Sequence, residues 1–250
     1  MKYYDLHTHT DFSDGEATVE YLLKTAEEKG YGLGFSDHIF CGGNDTLEKI
    51  QRYVDYVGKT DAFVGVEANI GEDYHLPDSI EKKIDYVIAS THSLDDRGEK
   101  LFFSSYFCYR SGAVSSYMPN YHKDRMEEYM ETMLKAIEKT MKTQRVDILG
   151  HATVNPIYEA IGDTSFRRDW DRAVVDLCVK YHVAVEISNL WQNPHEPQEG
   201  FLKLSKESGT MFSIGSDCHL LSQCCILNYP ISMIEKLGIG EDRLFIPHKK

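Results

Sequence analysis

The chain has 250 residues, of which 42% are hydrophobic and 27% are charged, and its formal net charge at pH 7 is −13. This composition is that of an ordinary globular protein, and no stretch of the sequence is apolar and long enough to span a bilayer. The excess of negative charge repels phosphate backbones and argues against long nucleic acids as partners.

The sequence also bears on domain organisation and location. Neither a repeat nor a linker rich in Pro, Gly or Ser divides the chain, so we expect a single domain over residues 1–250. No apolar segment with a cleavage site follows the first methionine, which favours a cytoplasmic location without membrane contact. The six cysteines lack paired spacing and are expected to be reduced. The oligomeric state stays open.

Short β-branched or aromatic runs alternate along the chain with longer segments of helical period. This alternation is typical of repeated βα units around a parallel sheet, and it predicts an α/β fold. Helices are expected in the gaps between the strands. The seven predicted strands cover residues 3–7, 32–36, 63–67, 86–90, 146–150, 184–188 and 212–216.

The first predicted helix has the clearest signals. The tract Ser-Asp-Gly-Glu at residues 13–16 supplies N-cap chemistry, and Gly30 is expected to end the helix. Between them, apolar residues recur on one face: Val19, Leu22, Leu23 and Ala26.

The longest helix is predicted over about residues 123–142. Its Met-rich stripe is more typical of core packing than of a cofactor site. The members of the stripe are Met126, Tyr129, Met130, Met133, Leu134 and Ile137.

Before this helix, residues 93–122 are too many for a plain connection and predict an active-site lid or substrate loop. Aromatic side chains in the loop would either form a wall over the substrate or pin the loop to the barrel. They are Tyr106, Phe107, Tyr109, Tyr117 and Tyr121.

Residues of metal-ligand type close six of the seven predicted strands. In a parallel α/β barrel the C-terminal ends of all strands converge on one face, so these side chains are predicted to be neighbours. One histidine at a strand end is more often a polar core or rim residue, but a cluster of six histidines and three carboxylates marks a site. The histidines are His7, His9, His38, His92, His151 and His219, and the carboxylates include Glu67 and Asp217.

The spacing within two motifs suits metal ligation. In His7-x-His9 and Asp217-x-His219, both side chains lie on the same side of an extended segment. Imidazole and carboxylate together favour zinc, manganese or iron over calcium or magnesium. A carboxylate such as Glu67 can bridge two cations, and a hydroxide formed between them would attack a phosphorus or carbonyl centre.

The order of the motifs resembles that of the PHP (polymerase and histidinol phosphatase) family from His7 to His219: H-x-H, S-D-G, S-D-H, a lone Glu, T-H-S, G-H and S-D-x-H. The resemblance implies a distorted, TIM-like (β/α)7 barrel with its metal site at the C-terminal strand ends. It also implies a cofactor of two to three divalent ions (Zn, Mn or Fe) that serves phosphoester hydrolysis.

By the same resemblance, the ligands divide into three groups, and Glu67, His92 and Asp217 are the catalytic residues. Asp14 keeps a second interpretation as a helix cap. The first group is His7, His9, Glu67 and Asp217, the second is Glu67, His92 and His151, and the third is Asp14, His38 and His219.

The chain resembles the histidinol-phosphatase branch of that family, including residues 185–189, and departs from it in two places. That branch carries basic residues after the G-H and E-I-N motifs, whereas here Ala152 and Leu190 follow. Histidinol phosphate is therefore not the expected substrate. A loop arginine is more often a surface residue than a phosphate clamp, but four candidates for substrate binding are Arg110, Arg167, Arg168 and His195.

Together these patterns predict a phosphomonoesterase acting on a small-molecule phosphate ester by in-line attack of a metal-activated hydroxide. Three alternatives stay open: a phosphodiesterase or nuclease on short oligonucleotides, an amide or lactone hydrolase, and a metal-binding regulator without turnover. The acidic composition and the lack of a basic stripe argue against the nuclease.

Overall fold

The structure, a computed structural model, describes residues 1–110, 114–189 and 196–250. Within these residues, seven parallel strands form one sheet in the order β1-β2-β3-β4-β7-β8-β9, and β5 and β6 form an antiparallel hairpin. The strands are β1 (Tyr4–Asp5), β2 (Gly32–Phe35), β3 (Phe63–Asn69), β4 (Tyr86–Ser90), β5 (Ser93–Asp96), β6 (Glu99–Phe102), β7 (Ile148–Leu149), β8 (Ala184–Ser188) and β9 (Phe212–Gly215).

The first and last strands bring the sheet close to a complete barrel. The Leu6 N–H donates to the carbonyl of Ile214 at 3.1 Å, and Thr8 and Cys218 form a parallel bridge just beyond. The predicted α/β barrel of seven parallel strands is therefore confirmed. β7 is short because the chain leaves the extended conformation at His151, whose φ is +24°.

Helices alternate with the strands, as predicted. In the described residues no helix has both the length and the apolar character needed to cross a membrane. The helices are α1 (Val19–Lys29), α2 (Leu47–Val57), α3 (Asp78–Glu81), α4 (Ser104–Arg110), α5 (Met126–Thr143), α6 (Pro156–Ile161), α7 (Ser165–Tyr181), α8 (Glu196–Ser208) and α9 (Asn228–Leu237).

The N-terminus of α1 differs from the prediction. Thr18 is the N-cap, and its hydroxyl accepts the Tyr21 N–H at 3.2 Å, so the expected cap at residues 13–16 is wrong. Ser13 instead donates its hydroxyl to Asp37 at 2.6 Å. A tertiary hydrogen bond to Asp37 thus occupies the serine side chain that was predicted to cap the helix. Gly30 ends the helix in the left-handed conformation, as predicted.

The long helix and the segment before it complete one side of the core. α5 follows a short 3₁₀ turn, and its methionine stripe is buried against α6 and α7, which confirms the core interpretation. The segment at 93–122, predicted to be an active-site lid or substrate loop, contains the β5–β6 hairpin and α4. The sharp turn of this hairpin is made by Arg97 and Gly98, both with positive φ.

Tyr86 fills the interior of the barrel. Its side chain is fully buried among apolar residues of several strands, and its hydroxyl donates to the Leu6 carbonyl at 2.6 Å and to the Phe35 carbonyl at 3.2 Å. A bulky ring that bonds to β1 and β2 from β4 fixes the spacing of these strands. The strand ends above it are therefore held in fixed relative positions.

Candidate metal centre

Nine side chains of metal-ligand type meet at the C-terminal ends of the parallel strands. Six of them are buried, and three are partly or well exposed: His92, His219 and Asp14. The convergence that the sequence predicts is therefore present in the structure. The nine are His7, His9, Asp14, His38, Glu67, His92, His151, Asp217 and His219.

Glu67, on β3, lies at the middle of the cluster and is 1% exposed. Two ligand atoms bound to one zinc ion at about 2.1 Å stand roughly 3.0 to 3.4 Å apart. The imidazole nitrogens around both Glu67 carboxylate oxygens lie at 3.1–3.4 Å, which matches that spacing. They belong to His7, His9, His38, His92 and His151.

Asp217 provides a second carboxylate to the same cluster. Its Oδ1 lies 3.2 Å from His9 Nε2, 3.5 Å from His7 Nε2 and 3.6 Å from His219 Nδ1. The chain turns sharply here, since Asp217 has a φ of +51°. This turn after β9 directs both members of the Asp217-x-His219 pair toward the centre.

Asp14 reaches the cluster from the loop before α1. Its Oδ1 is 3.4 Å from His219 Nε2, 3.7 Å from His38 Nε2 and 4.0 Å from His9 Nδ1. Thr18 caps α1. The helix-cap interpretation of Asp14 is therefore wrong, and its role as a ligand stays a prediction.

Several buried polar atoms at this centre have no hydrogen-bond partner within the described part of the chain. A buried polar group without a partner costs free energy, and a divalent cation satisfies imidazole and carboxylate lone pairs together. The residues present therefore fit transition-metal ions. The atoms are His7 Nε2, His9 Nδ1 and Nε2, His38 Nδ1 and Glu67 Oε2.

Burial and charge set the ionisation of these groups. Burial opposes ionisation of Glu67, but His7, His92 and His38 hold its pKa well below the usual range. Burial also opposes ionisation of Asp217, but the neighbouring histidines outweigh it and lower the pKa of this carboxyl. Burial lowers the pKa of His38 to about 3. At neutral pH the two carboxylates are ionised and His38 is neutral, which are the forms that bind metal ions.

Glu186 lies behind the ligands, and the sequence-based reasoning did not assign it. Its Oε1 is 2.7 Å from His7 Nδ1, and its Oε2 accepts the His151 N–H at 2.6 Å. A carboxylate that binds the second nitrogen of a metal-ligating histidine fixes the tautomer and orientation of the ring. The sequence signal for Glu186 was a charged residue between the apolar Val185 and Ile187 of β8. A Cβ at Gly215 would lie 2.5 Å from Glu186 Oε1, so glycine leaves room for this contact.

Two further polar residues fix the backbone beside the ligands. Asn69, at the end of β3, accepts the His92 N–H and donates to the Ser93 hydroxyl, both at 3.0 Å. Asp37 accepts the backbone N–H of Thr10 at 2.8 Å and its hydroxyl at 2.9 Å. Both side chains thus hold strand-end backbone in place and leave the adjacent histidines free to face the centre.

The aromatic residues of the long segment divide between the two roles left open by the sequence. The Phe107 ring lies 5.7 Å from the ring of His92 and 5.3 Å from that of His151, so it packs on the site. Tyr106 donates to Glu159, and Tyr121 donates to a backbone carbonyl of α6 at 3.2 Å. These two tyrosines pin the segment to α6.

The predicted substrate-binding arginines lie beside carboxylates. Within the described residues, none of them lines the cavity of about 360 Å³ that opens onto the centre. His195 and the tract 190–193 lie outside the described residues. The contacts are Arg110 with Glu159 at 3.9 Å, Arg167 with Asp163 at 2.8 Å and Arg168 with Asp163 at 2.6 Å.

Comparisons with known proteins agree with this arrangement. The family model described as PHP domain matches residues 5–189. The chain is similar to a probable phosphatase of Aliivibrio fischeri strain MJ11, at 26% identity over 96% of this chain and 87% of the relative. It is also similar to a probable phosphatase of Clostridium acetobutylicum, at 28% identity over 88% of this chain and 80% of the relative.

A solved structure shares the fold. It is a crystal structure of histidinol phosphate phosphatase from Lactococcus lactis, complexed with zinc, L-histidinol and phosphate. The TM-score is 0.65 and the identity 17%, over 96% of this chain and 95% of that chain.

Proposed function

Because the chain belongs to the PHP domain family, we propose that it is a metal-dependent phosphomonoesterase acting on a small-molecule phosphate ester. The observation that carries the proposal is the set of buried ligand atoms around Glu67 that have no hydrogen-bond partner among the described residues. The relatives named as probable phosphatases support it, as does the zinc and phosphate complex of the protein that shares the fold.

The residues that would hold the metal ions follow the three proposed groups, with Glu67 shared by the first two. His9 also lies close to the third group, since it clusters with Asp14, His38 and His219. We propose two to three ions of zinc, manganese or iron. When bound, such ions lower the pKa of coordinated water and offset the charge of a phosphate.

The chain's own residues provide the shape of the site. The buried ligands form its floor, whereas Asp14, His92 and His219 are the exposed ones and form the edge that a phosphate would approach. Phe107 covers the His92 and His151 rings and keeps water from that side. The contact between Glu186 and His7 Nδ1 holds the His7 ring in one orientation.

Histidinol phosphate is not the substrate we expect for this site. The lining of the cavity in the described residues includes no lysine or arginine. A bidentate arginine would fix the orientation of a phosphate as well as balance its charge. We therefore expect kcat/KM for histidinol phosphate to be no higher than for other phosphomonoesters.

A substrate panel tests the proposed reaction against its alternatives. The zinc- or manganese-loaded protein is assayed with aryl and alkyl phosphomonoesters, phosphodiesters, short oligonucleotides, amides and lactones. Release of inorganic phosphate from monoesters, faster than cleavage of every other class, is the expected result. Faster cleavage of diesters or of carbonyl substrates would replace the proposal with the corresponding hydrolase, and no turnover at all would favour a metal-binding regulator.

A further inference from the structure

One wall of the cavity is apolar, although its floor consists of charged and polar ligands. Its residues come from β6, α4 and the loops after β2 and β9, and Phe107 packs on the rings of His92 and His151. Thiols in proteins behave as small apolar groups, so the cysteines count with the phenylalanines as part of the apolar lining. The wall consists of Cys41, Phe102, Phe107, Cys108 and Leu220.

Phe102 stands at the open side of this wall. Its side chain is 56% exposed, and it lines the same cavity as the partly buried Phe107 and Leu220, so it is not a single scattered apolar residue. An apolar patch next to a reactive centre is typical of a surface that a ligand covers.

The hairpin that carries Phe102 is held firmly. Asp96, at the end of β5, receives two hydrogen bonds from the Arg125 guanidinium, both at 2.7 Å. Lys100 is paired with Glu72, and the Phe103 N–H donates to the His92 carbonyl at 2.9 Å. The position of Phe102 relative to the ligands is therefore built into the fold.

We propose that this wall binds the leaving group, and that the substrate is a phosphomonoester of an apolar alcohol about the size of a phenylethyl group. This inference rests on the proposed phosphomonoesterase function and adds the class of substrate. A polar or cationic leaving group would lose its hydration against the two phenylalanines and Leu220 without gaining hydrogen bonds. An apolar group gains from leaving water at the same surface.

Binding of phosphonates to the zinc-loaded protein tests the wall without requiring turnover. Calorimetry compares 2-phenylethylphosphonate with ethylphosphonate, which carry the same charged group and differ only in the ring. Burial of a ring of this size predicts affinity about tenfold higher or more for the phenylethyl compound. Equal affinity for the two phosphonates would overturn the inference.

Variants locate the effect at Phe102. The Phe102→Ser change should reduce the affinity ratio by about threefold or more, and Phe102→Leu should keep most of it. Tyr21→Ser removes an exposed ring on α1 outside this cavity and should leave the ratio unchanged. Because Phe102 is exposed, these variants are expected to fold, and thermal melting verifies this. A ratio that is the same in Phe102→Ser as in the wild type would contradict the assignment.

Hydrolysis of 2-phenylethyl phosphate and ethyl phosphate separates this inference from the proposed function. Both esters release a primary alkoxide, so their chemistry is matched. Hydrolysis of both at equal kcat/KM, with equal binding of the phosphonates, leaves the phosphatase function standing and removes the apolar substrate. A phosphonate preference with no hydrolysis of either ester keeps the apolar site and removes the phosphatase function.

Discussion

At the scale of single residues, Glu67 contributes most to the candidate site, because its two oxygens face five imidazoles that come from four strand ends. Glu67→Gln keeps the volume but replaces one anionic oxygen by a donor that cannot bind a cation. We expect phosphomonoesterase activity to fall about a hundredfold or more, and the same outcome for His92→Ala. Steady-state kinetics at fixed metal concentration measures it. Glu131→Gln, an exposed position on α5, is the control, and near wild-type activity in Glu67→Gln would refute the assigned role.

Glu186 is expected to act through His7 and not on the substrate. Glu186→Gln should weaken metal binding about tenfold to a hundredfold, since partners of this kind usually have that effect. Competition for zinc with a chromophoric chelator measures the affinity directly. The control is Glu235→Gln on the exposed face of α9. Unchanged zinc affinity would mean that the contact with His7 has no positioning role.

Eight of the nine candidate ligands could be predicted from sequence because each stands in a short motif at or near the end of a strand, whereas Asp14, in the loop before α1, was indicated by the family resemblance. Glu186 and Asn69 could not, because their roles depend on which neighbour the sheet places beside them. Glu186 reaches His7 across β9, through the space that Gly215 leaves open. That contact joins residues 179 positions apart in the chain, so no local sequence pattern indicates it.

At the scale of elements, the cap of α1 shows how tertiary contacts select among equivalent local signals. Thr18→Ala should lower the free energy of unfolding by about 1 kcal/mol, because the Tyr21 N–H loses its acceptor. Urea denaturation measures this change. Thr25→Ala is the matched control, since Thr25 lies within the same helix and only bonds back to the Tyr21 carbonyl. An equal or larger loss in Thr25→Ala would contradict the assignment of Thr18 as the cap.

The strands of the barrel were predictable because β-branched and aromatic runs alternate with helical periods. The β5–β6 hairpin was missed because its strands are only four residues long and largely polar, so neither hydrophobic alternation nor length marks them. The sequence feature that could have indicated the hairpin is the turn at Arg97 and Gly98. In the structure both residues adopt the positive φ that tight hairpins require.

At the scale of the whole molecule, metal binding and folding should be coupled. The centre draws ligands from strands on all sides of the barrel, so it exists only in the folded chain. A ligand present at about a thousand times its Kd adds roughly 4 kcal/mol to stability. Removal of metal by a chelator should therefore lower Tm by roughly 8 to 16 °C for a chain of this size. Calorimetry measures Tm before and after chelation.

Two controls accompany this measurement. Zinc added back in excess should restore Tm, and Glu67→Gln should show a smaller shift on chelation than the wild type. A wild-type Tm that does not change on chelation would show that the native fold gains no stability from metal ions.

The number of metal ions per chain tests the central claim most directly. Protein purified without chelator is subjected to elemental analysis, and the metal content is compared with the protein concentration and with the specific activity. Nine ligand-type side chains around Glu67 predict two to three transition-metal ions per chain. A reproducible value of zero or one ion per chain in fully active protein would contradict the multinuclear site.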